Sequence, residues 1–296
     1  MSFTHLGVPA SFDACKKPAL LAAHPGHELK VFGWIAAYKP RIYVITDGSG
    51  HGGVSRLPST MQLLAPLGIE VDEIFGLISD RELYQAILDM RISWFLGILD
   101  RIADSFIANR VDLVLGDALE GFNPAHDICR MLADAAATIV NRKAGRTISN
   151  YRYCLTEWDR NRREHHDEVC SHFILDDDGL RRKIEAAERY VELKDEVRNA
   201  LAIRGVEYFR VECLKKVGTP FLQWDYSGKP DYEVWGEKRV EAGKYQSVIR
   251  YHQHIAPIAD AIRGHATGTR VPGMVAEEEA GDQVGSVKRQ MFRSSV

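Results

Sequence analysis

The sequence predicts an α/β fold with a Rossmann-like, mainly parallel sheet and helices on both of its faces. Apolar runs of strand length alternate along the chain with longer segments of helical period, which is typical of βαβ units. The chain has 296 residues and is 45% hydrophobic, enough for one substantial core. The predicted strands cover residues 18–23, 41–46, 70–75, 111–116, 149–155 and 169–175.

Helices are predicted in the segments between these strands. The clearest is 80–108, because large apolar side chains recur there on one face of a helix. Another begins near Pro124, which suits a first helical turn, with Asn123 as its N-cap. The predicted helices cover residues 28–38, 56–67, 80–108, 124–142 and 178–202.

The chain changes character after residue 215, and this divides it into three predicted parts. Residues 1–217 form the α/β domain. Residues 218–263 are rich in Gly, Pro, Tyr, Trp and charge, and are expected to pack on the core as an appendage with a short helix over 246–263. Residues 264–296 show little periodicity and few large apolar residues, so they are expected to stay disordered.

Composition limits the class of protein. A net charge of −3 provides no bulk attraction for nucleic acid, and no apolar run approaches the ~20 residues of a membrane helix. The first residues do not resemble a secretory signal. The five cysteines are scattered, odd in number and without CxxC spacing, which favours a reduced, cytoplasmic setting. The oligomeric state is left open, a homo-oligomer included.

Two short motifs place histidines where predicted strands end. The run HPGHE supplies His24 and His27 after the first strand, and NPAH supplies His126 after the fourth. Open α/β sheets bind ligands at the carboxyl ends of their strands, imidazole is the commonest metal ligand, and catalytic zinc needs three protein ligands. We therefore expect these three histidines to hold Zn²⁺, although iron, nickel and copper also accept imidazole. The alternative is that they cap turns and helix ends.

With these motifs in order, the sequence resembles the LmbE-like (PIG-L-type) zinc-dependent N-deacetylases over roughly residues 17–215. The motifs of that family read His-Pro-Asp-Asp-Glu and His-Pro-Asp-His. Arg56 and Asp80 match positions near the substrate in the family, or else they simply begin helices. The resemblance implies a Rossmann-like fold, zinc, and removal of an acetyl group from an N-acetyl sugar or sugar conjugate. Asp47 either orients a ligand histidine from behind or closes the turn Asp47-Gly48-Ser49-Gly50.

The departures from the family pattern concern proton transfer. Gly26 stands where the family has its general base, His27 replaces a carboxylate ligand, and Asn123 replaces an assisting histidine. We expect Asn123 to donate a hydrogen bond to the oxyanion and Glu120 to take over the proton transfers, with Asp117 and Asp127 as alternatives to Glu120. A three-histidine site would also leave zinc at a formal charge of +2, which acidifies its water more strongly than the +1 of a site with one carboxylate.

Two classes of function follow from the sequence. The first is a metal-dependent hydrolase that removes an acyl group from an amino sugar or related glycoside. The second is a non-catalytic relative that binds a metal or a carbohydrate. Aromatic residues of the appendage either stack on sugar faces or pack on the core: Tyr226, Tyr232, Trp235 and Tyr245.

Overall fold

A computed structural model describes residues 15–50, 52–155, 170–218, 221 and 228–269. Within these residues, seven strands form one sheet in the order β3-β2-β1-β4-β5-β7-β6. The strands are β1 (Pro18–Ala22), β2 (Arg41–Thr46), β3 (Val71–Ile78), β4 (Leu113–Asp117), β5 (Ser149–Tyr153), β6 (Cys170–Ile174) and β7 (Val211–Lys216).

Nine α-helices connect and cover the strands in the same described residues. They are α1 (Phe32–Tyr38), α2 (Leu57–Leu64), α3 (Asp80–Leu88), α4 (Ile92–Ala108), α5 (Pro124–Ala144), α6 (Asp177–Arg189), α7 (Lys194–Arg204), α8 (Asp231–Glu241) and α9 (Ala256–Thr267). A 3-10 helix, His27–Val31, precedes α1, and a π-helix, Tyr251–Ile255, precedes α9.

The first five strands of the sheet run parallel, as the sequence predicts. β1 lies between β2 and β4, with Leu21 opposite Tyr43 on one side and opposite Gly116 on the other. The carboxyl ends of β1 and β4 are therefore neighbours, and so are the loops that follow them. The sequence analysis missed β7, which pairs antiparallel with both β5 and β6. Its short run Val211–Lys216 mixes apolar and charged residues, so its periodicity is weak.

Apolar side chains are buried on both faces of the sheet, which confirms the predicted arrangement of helices. One core contains Phe95, Ile102 and Leu132 from α4 and α5. The other contains Trp34 from α1 and Leu180 from α6. Both helical layers come from segments that the alternating pattern places between strands.

Two segments that are each predicted as one continuous helix are interrupted in the structure. Residues 80–108 form α3 and α4 rather than one helix. Met90 between them adopts a left-handed φ of +52°, and its N–H returns to Ile87 O. Residues 178–202 are broken after α6, where Tyr190 is extended and buried and its hydroxyl lies 2.8 Å from Thr60 Oγ1. A local pattern does not contain such long-range contacts.

The residues after the sheet add α8, the π-helix and α9. Tyr232 N at the start of α8 donates to Gly121 O (3.2 Å), which ties this segment to the loop before α5. α9 packs on α4 and α5. The expected tail overlaps α9, which continues to Thr267 and buries Gly264 and Ala266, so disorder from residue 264 is wrong for these four residues. Residues from 270 onward lie outside the described residues, and the predicted domain limits 1–217 and 218–263 stay predictions.

Two findings bear on the expected setting of the chain. Cys213 is disulfide-bonded, which differs from the expectation of reduced cysteines throughout. Among the described helices, none is both long enough and apolar enough to cross a membrane.

Candidate metal centre

Three imidazoles converge at the carboxyl edge of the sheet. The ring centroids of His24 and His27 lie 5.2 Å apart, those of His24 and His126 5.1 Å, and those of His27 and His126 4.6 Å. One ring nitrogen from each residue lies within 4.8 Å of the other two. The adjacency of β1 and β4 brings the two motifs together in this way.

His24 is held by Asp80 and Thr46. Its Nδ1 lies 2.9 Å from Asp80 Oδ1 and 2.7 Å from Thr46 Oγ1. Thr46 donates its own hydroxyl proton to Ala23 O (3.0 Å), so both oxygens near the ring act as acceptors for the Nδ1–H group. The Nε2 of His24 is then a lone-pair donor, and it is buried without a hydrogen-bond partner among the described residues.

His27 is held by Asp117, the last residue of β4. The Nδ1 of His27 lies 3.0 Å from both carboxylate oxygens. The fully buried Asp117 also accepts hydrogen bonds from Ala23 N (2.8 Å) and from Tyr153 Oη (2.7 Å). These contacts fix the carboxylate and select the tautomer of His27 that carries its proton on Nδ1.

His126 lies in the first turn of α5, as predicted. Asn123 is the N-cap, with its Oδ1 accepting from Ala125 N (2.8 Å), and Pro124 occupies the first turn. The Nδ1 of His126 is buried and has no hydrogen-bond partner in the described part of the chain. A buried imidazole nitrogen without a partner is costly, and coordination of a metal would satisfy it.

The electrostatics of this cluster favour neutral rings for His27 and His126 and ionised carboxylates for Asp80 and Asp117. Burial lowers the pKa of His27, and burial together with the neighbouring histidines lowers that of His126 well below its usual value. Burial by itself would raise the pKa of Asp80 and Asp117. Hydrogen bonds from His24 to Asp80 and from His27 to Asp117, together with the attraction within each pair when the imidazole is protonated, outweigh it and hold both pKa values well below the usual range. Neutral imidazole is the form that binds metals.

The other residues predicted around the metal occupy varied positions. Asp47 Oδ1 accepts from Ser49 N (2.9 Å) and Asp80 N (3.2 Å), which are the contacts of turn closure and helix capping. Asp80 lies behind His24, with its Oδ1 2.9 Å from His24 Nδ1, and a contact of Asp80 with a substrate stays a prediction. Arg56 is half-buried at the start of α2, and its charge contributes to lowering the pKa of His27.

The loop before α5 holds the two residues predicted to act on the substrate. Glu120 is buried, and its backbone N donates to Asp127 Oδ1 (3.0 Å), which also accepts from Gly121 N (3.1 Å). Burial raises the pKa of Asp127 to about 8. Asn123 uses its Oδ1 twice, for its cap and for the hydroxyl of Tyr84 (3.0 Å).

Gly26 has a structural reason to be glycine. Its φ is +102°, and a Cβ built there would lie 2.6 Å from Leu193 Cδ1 and 3.5 Å from Tyr190 Oη. Its N–H donates to Glu28 Oε2 (2.8 Å), while Thr60 donates to the other oxygen of Glu28 (2.6 Å). The space beside Gly26 is therefore filled by the segment after α6, and a side chain at this position would displace it.

Sequence reasoning missed Thr46 and Tyr153, because a residue behind a ligand is recognisable only when distant segments meet. It also missed Phe122, whose side chain is 48% exposed with its ring centroid 6.4 Å from that of His126. The available signal in the sequence was an aromatic residue in the Glu-Gly-Phe-Asn run that leads into the second motif. Of the appendage aromatics, Tyr232 is buried, Trp235 and Tyr245 are exposed, and Tyr226 lies outside the described residues.

Solved structures with a related arrangement include deacetylases. The zinc-inhibited form of teicoplanin deacetylase Orf2 is 11% identical, with a TM-score of 0.48, covering 68% of this chain and 97% of that one. The A40926 pseudoaglycone deacetylase Dbv21 is 16% identical (TM-score 0.44; 68% and 96% covered). The conserved protein TT1542 from Thermus thermophilus is 14% identical (TM-score 0.44; 72% and 99% covered).

No protein-family model matches the chain, and no curated protein matches it in sequence. The identities to the solved structures are too low to transfer an activity. The residues of this chain therefore carry the functional conclusion.

Proposed function

We propose that this chain is a zinc-dependent hydrolase that removes an acyl group, acetyl in the simplest case, from an amino sugar or a related glycoside. The observation that carries the proposal is the convergence of His24, His27 and His126, whose ring nitrogens lie within 4.8 Å of one another. The motif resemblance supplies the reaction class.

The residues present fit a zinc ion. Zn–N bonds are about 2.0–2.1 Å, so nitrogens sharing one ion lie at most ~4.2 Å apart, and small side-chain rotations bring this cluster into that range. His24 Nε2 and His126 Nδ1 are buried without partners among the described residues. Asp80 and Asp117 orient two of the rings, as carboxylates commonly do behind zinc-bound histidines.

Zinc held by these three histidines supplies Lewis acidity, which acidifies water and polarises a carbonyl. The chain must move the protons and orient the substrate. In the proposed reaction Glu120 takes a proton from the attacking water and returns it to the leaving amine as the C–N bond breaks, which yields a carboxylate and a free amino group. Asn123 donates from Nδ2 to the carbonyl oxygen as it gains negative charge.

The position of Phe122 favours a sugar as the part of the substrate that carries the amine. Its ring is half exposed beside His126, and its loop is tethered by hydrogen bonds from the backbone of Glu120 and Gly121 to Asp127. An aromatic face held in this way can pack against the C–H face of a pyranose ring.

The second candidate is a binding protein that keeps the metal without turnover. The observation that favours it is at Gly26, where Leu193 fills the space that a side chain would need. The base that the family resemblance implies at this position is therefore absent, and Leu193 would have to move to admit one. The two candidates differ in one measurable respect, which is whether Glu120 supports turnover.

The test begins with metal analysis of the purified full chain and a screen of N-acetyl and O-acetyl sugars and nucleotide sugars. On the best substrate, Glu120→Gln should lower kcat by at least ~10²-fold with zinc still bound, as expected when a general base is lost. Glu233→Gln is the control, because it changes a buried glutamate that contacts Arg250 and Tyr251 instead. If Glu120→Gln retains full kcat, the assigned role is wrong. If the zinc-loaded protein hydrolyses no acylated sugar, the binding function replaces the hydrolase.

A further inference from the structure

One short helix, α3, contacts both motif loops at the metal centre. Asp80, the first residue of α3, contacts His24 through its carboxylate at 2.9 Å. Tyr84, one turn later, donates its hydroxyl to Asn123 Oδ1 at 3.0 Å. The start of this helix is fixed by a capping box, in which Ser79 and Glu82 exchange side-chain and backbone hydrogen bonds. α3 therefore gives both loops the same rigid support.

The orientation of the Asn123 amide follows from its partners. Ala125 N is only a donor, so the atom of Asn123 that it contacts at 2.8 Å must be the oxygen. The hydroxyl of Tyr84 contacts the same oxygen and must therefore donate to it. Burial raises the pKa of Tyr84, so this hydroxyl keeps its proton at neutral pH.

These two bonds leave Nδ2 as the available end of the amide. Asn123 Nδ2 makes no hydrogen bond within the described ranges, while Oδ1 accepts two. His126 follows on the first turn of the same helix, α5, so the N-cap side chain and the metal-binding ring belong to one rigid turn.

We infer that Tyr84 is a positioning residue that locks the Asn123 amide with Nδ2 presented to an oxygen of a ligand bound at the histidine cluster. The inference rests on the proposed function, which supplies the ligand: a substrate or product whose carbonyl or carboxylate oxygen accepts the hydrogen bond. Tyr84 itself does not touch the ligand. Without the Tyr84 hydroxyl, the Asn123 amide keeps its hydrogen bond from Ala125 N but loses the second one. Nδ2 of Asn123 then points toward the ligand for a smaller fraction of the time.

The test uses acetate, the expected product of deacetylation, and the zinc-loaded full chain. The side-chain amide signals of Asn123 are identified in ¹⁵N–¹H spectra by their loss in Asn123→Ala, and acetate is titrated. Acetate should shift these signals in the unmodified protein. In Tyr84→Phe the acetate dissociation constant should rise about three- to tenfold, the effect of one uncharged hydrogen bond, with zinc stoichiometry unchanged.

A double-mutant cycle separates positioning from a general structural effect. The variant with both Tyr84→Phe and Asn123→Ala should bind acetate no more weakly than Asn123→Ala alone, because the hydroxyl acts only through the amide. Tyr43→Phe is the matched control, since it also removes a tyrosine hydroxyl that contacts a polar side chain, Ser105 Oγ at 3.1 Å. It should leave both the acetate affinity and the Asn123 signals unchanged.

The inference is overturned if Tyr84→Phe binds acetate as tightly as the unmodified chain, if the two substitutions are additive, or if acetate does not shift the Asn123 signals. Loss of zinc in Tyr84→Phe also overturns it, because α3 would then act through Asp80 and His24. A third result separates the two proposals. If acetate shifts the Asn123 signals and the cycle is non-additive, but no acylated sugar is hydrolysed, the positioning role stands and the proposed hydrolase function fails.

Discussion

Replacing Asp117 by asparagine removes the charge behind His27 and keeps the shape of the side chain. The carboxylate of Asp117 accepts from three donors: Ala23 N at 2.8 Å, Tyr153 Oη at 2.7 Å and His27 Nδ1 at 3.0 Å. An amide offers only one oxygen, so its NH₂ group must face at least one of these donors. If Ala23 N keeps the oxygen at the Oδ2 position, the NH₂ group takes the Oδ1 position and faces Tyr153. His27 Nδ1 lies 3.0 Å from both positions, so it keeps one acceptor and gains a competing donor, and a larger share of His27 carries its proton on Nε2.

The tautomer with its proton on Nε2 does not offer Nε2 as a metal ligand, so a larger share of it should lower zinc affinity. Loss of a residue that orients a ligand typically weakens metal binding by about 10–100-fold, or ~1.4–2.7 kcal/mol. The metal-free Asp117→Asn protein should also lose about 1.5–3 kcal/mol of unfolding free energy, the range for a hydrogen bond to a charged group. The effect on zinc is the specific one, because it depends on contact with His27.

The assay is a zinc titration in competition with a chromophoric chelator, combined with thermal unfolding at several zinc concentrations. Bound zinc adds about 2.7 kcal/mol of stability at 100 times Kd, and each tenfold loss of affinity removes about 1.4 kcal/mol of it. Asp72→Asn is the matched control, because Asp72 is also buried and accepts from Ile74 N and Ser105 Oγ without touching a histidine. Equal zinc affinity in the unmodified chain and Asp117→Asn would refute the reasoning, whatever happens to stability.

Three further predictions concern the same region. His126→Ala should reduce bound zinc well below one ion per chain by elemental analysis, and full stoichiometry would contradict its role as a ligand. Gly26→Asp should destabilise the fold by about 1–3 kcal/mol in thermal unfolding, because of its φ of +102° and the 2.6 Å approach to Leu193. Adding Leu193→Ala should recover part of that loss, and a Gly26→Asp protein of normal stability would show that the space is not filled. Phe122→Ala should change the free energy of unfolding by under ~0.5 kcal/mol but raise the dissociation constant of an N-acetyl sugar, measured by calorimetry, about three- to tenfold. Trp235→Ala, the control, should leave that dissociation constant unchanged.

The parallel part of the fold and the meeting of the histidines were predictable from the sequence. Each strand is a short apolar run, and the positions of the motifs after two such runs define where the side chains go once the sheet forms. His24 and His126 meet because β1 and β4 pair, with Leu20 opposite Leu115. That pairing is the switch point of the doubly wound order 3-2-1-4-5, in which β1 lies between β2 and β4.

The missed features depend on contacts between distant parts of the chain. The break after α6 comes from Tyr190, whose hydroxyl contacts Thr60, 130 positions earlier. The support of His27 comes from Asp117, 90 positions later, which the sequence analysis considered only as a substitute base. Local periodicity has no access to such pairs, and a residue behind a ligand has no spacing of its own to recognise.

The structure also changes the argument about charge at the metal. Three neutral histidines alone would leave zinc at a formal charge of +2. However, Asp80 contacts His24 and Asp117 contacts His27, and the pKa of each of these two carboxyl groups lies below its usual range, so both are ionised. Two ionised carboxylates cancel that charge at the distance of one imidazole, so the gain in acidity expected from replacing a carboxylate ligand by His27 is largely offset. Hydrogen bonding to these carboxylates also makes the imidazoles better electron donors, which acts in the same direction. A hydrolase built on this cluster therefore depends more strongly on a general base, and the at least ~10²-fold loss expected for Glu120→Gln is the consequence of that dependence.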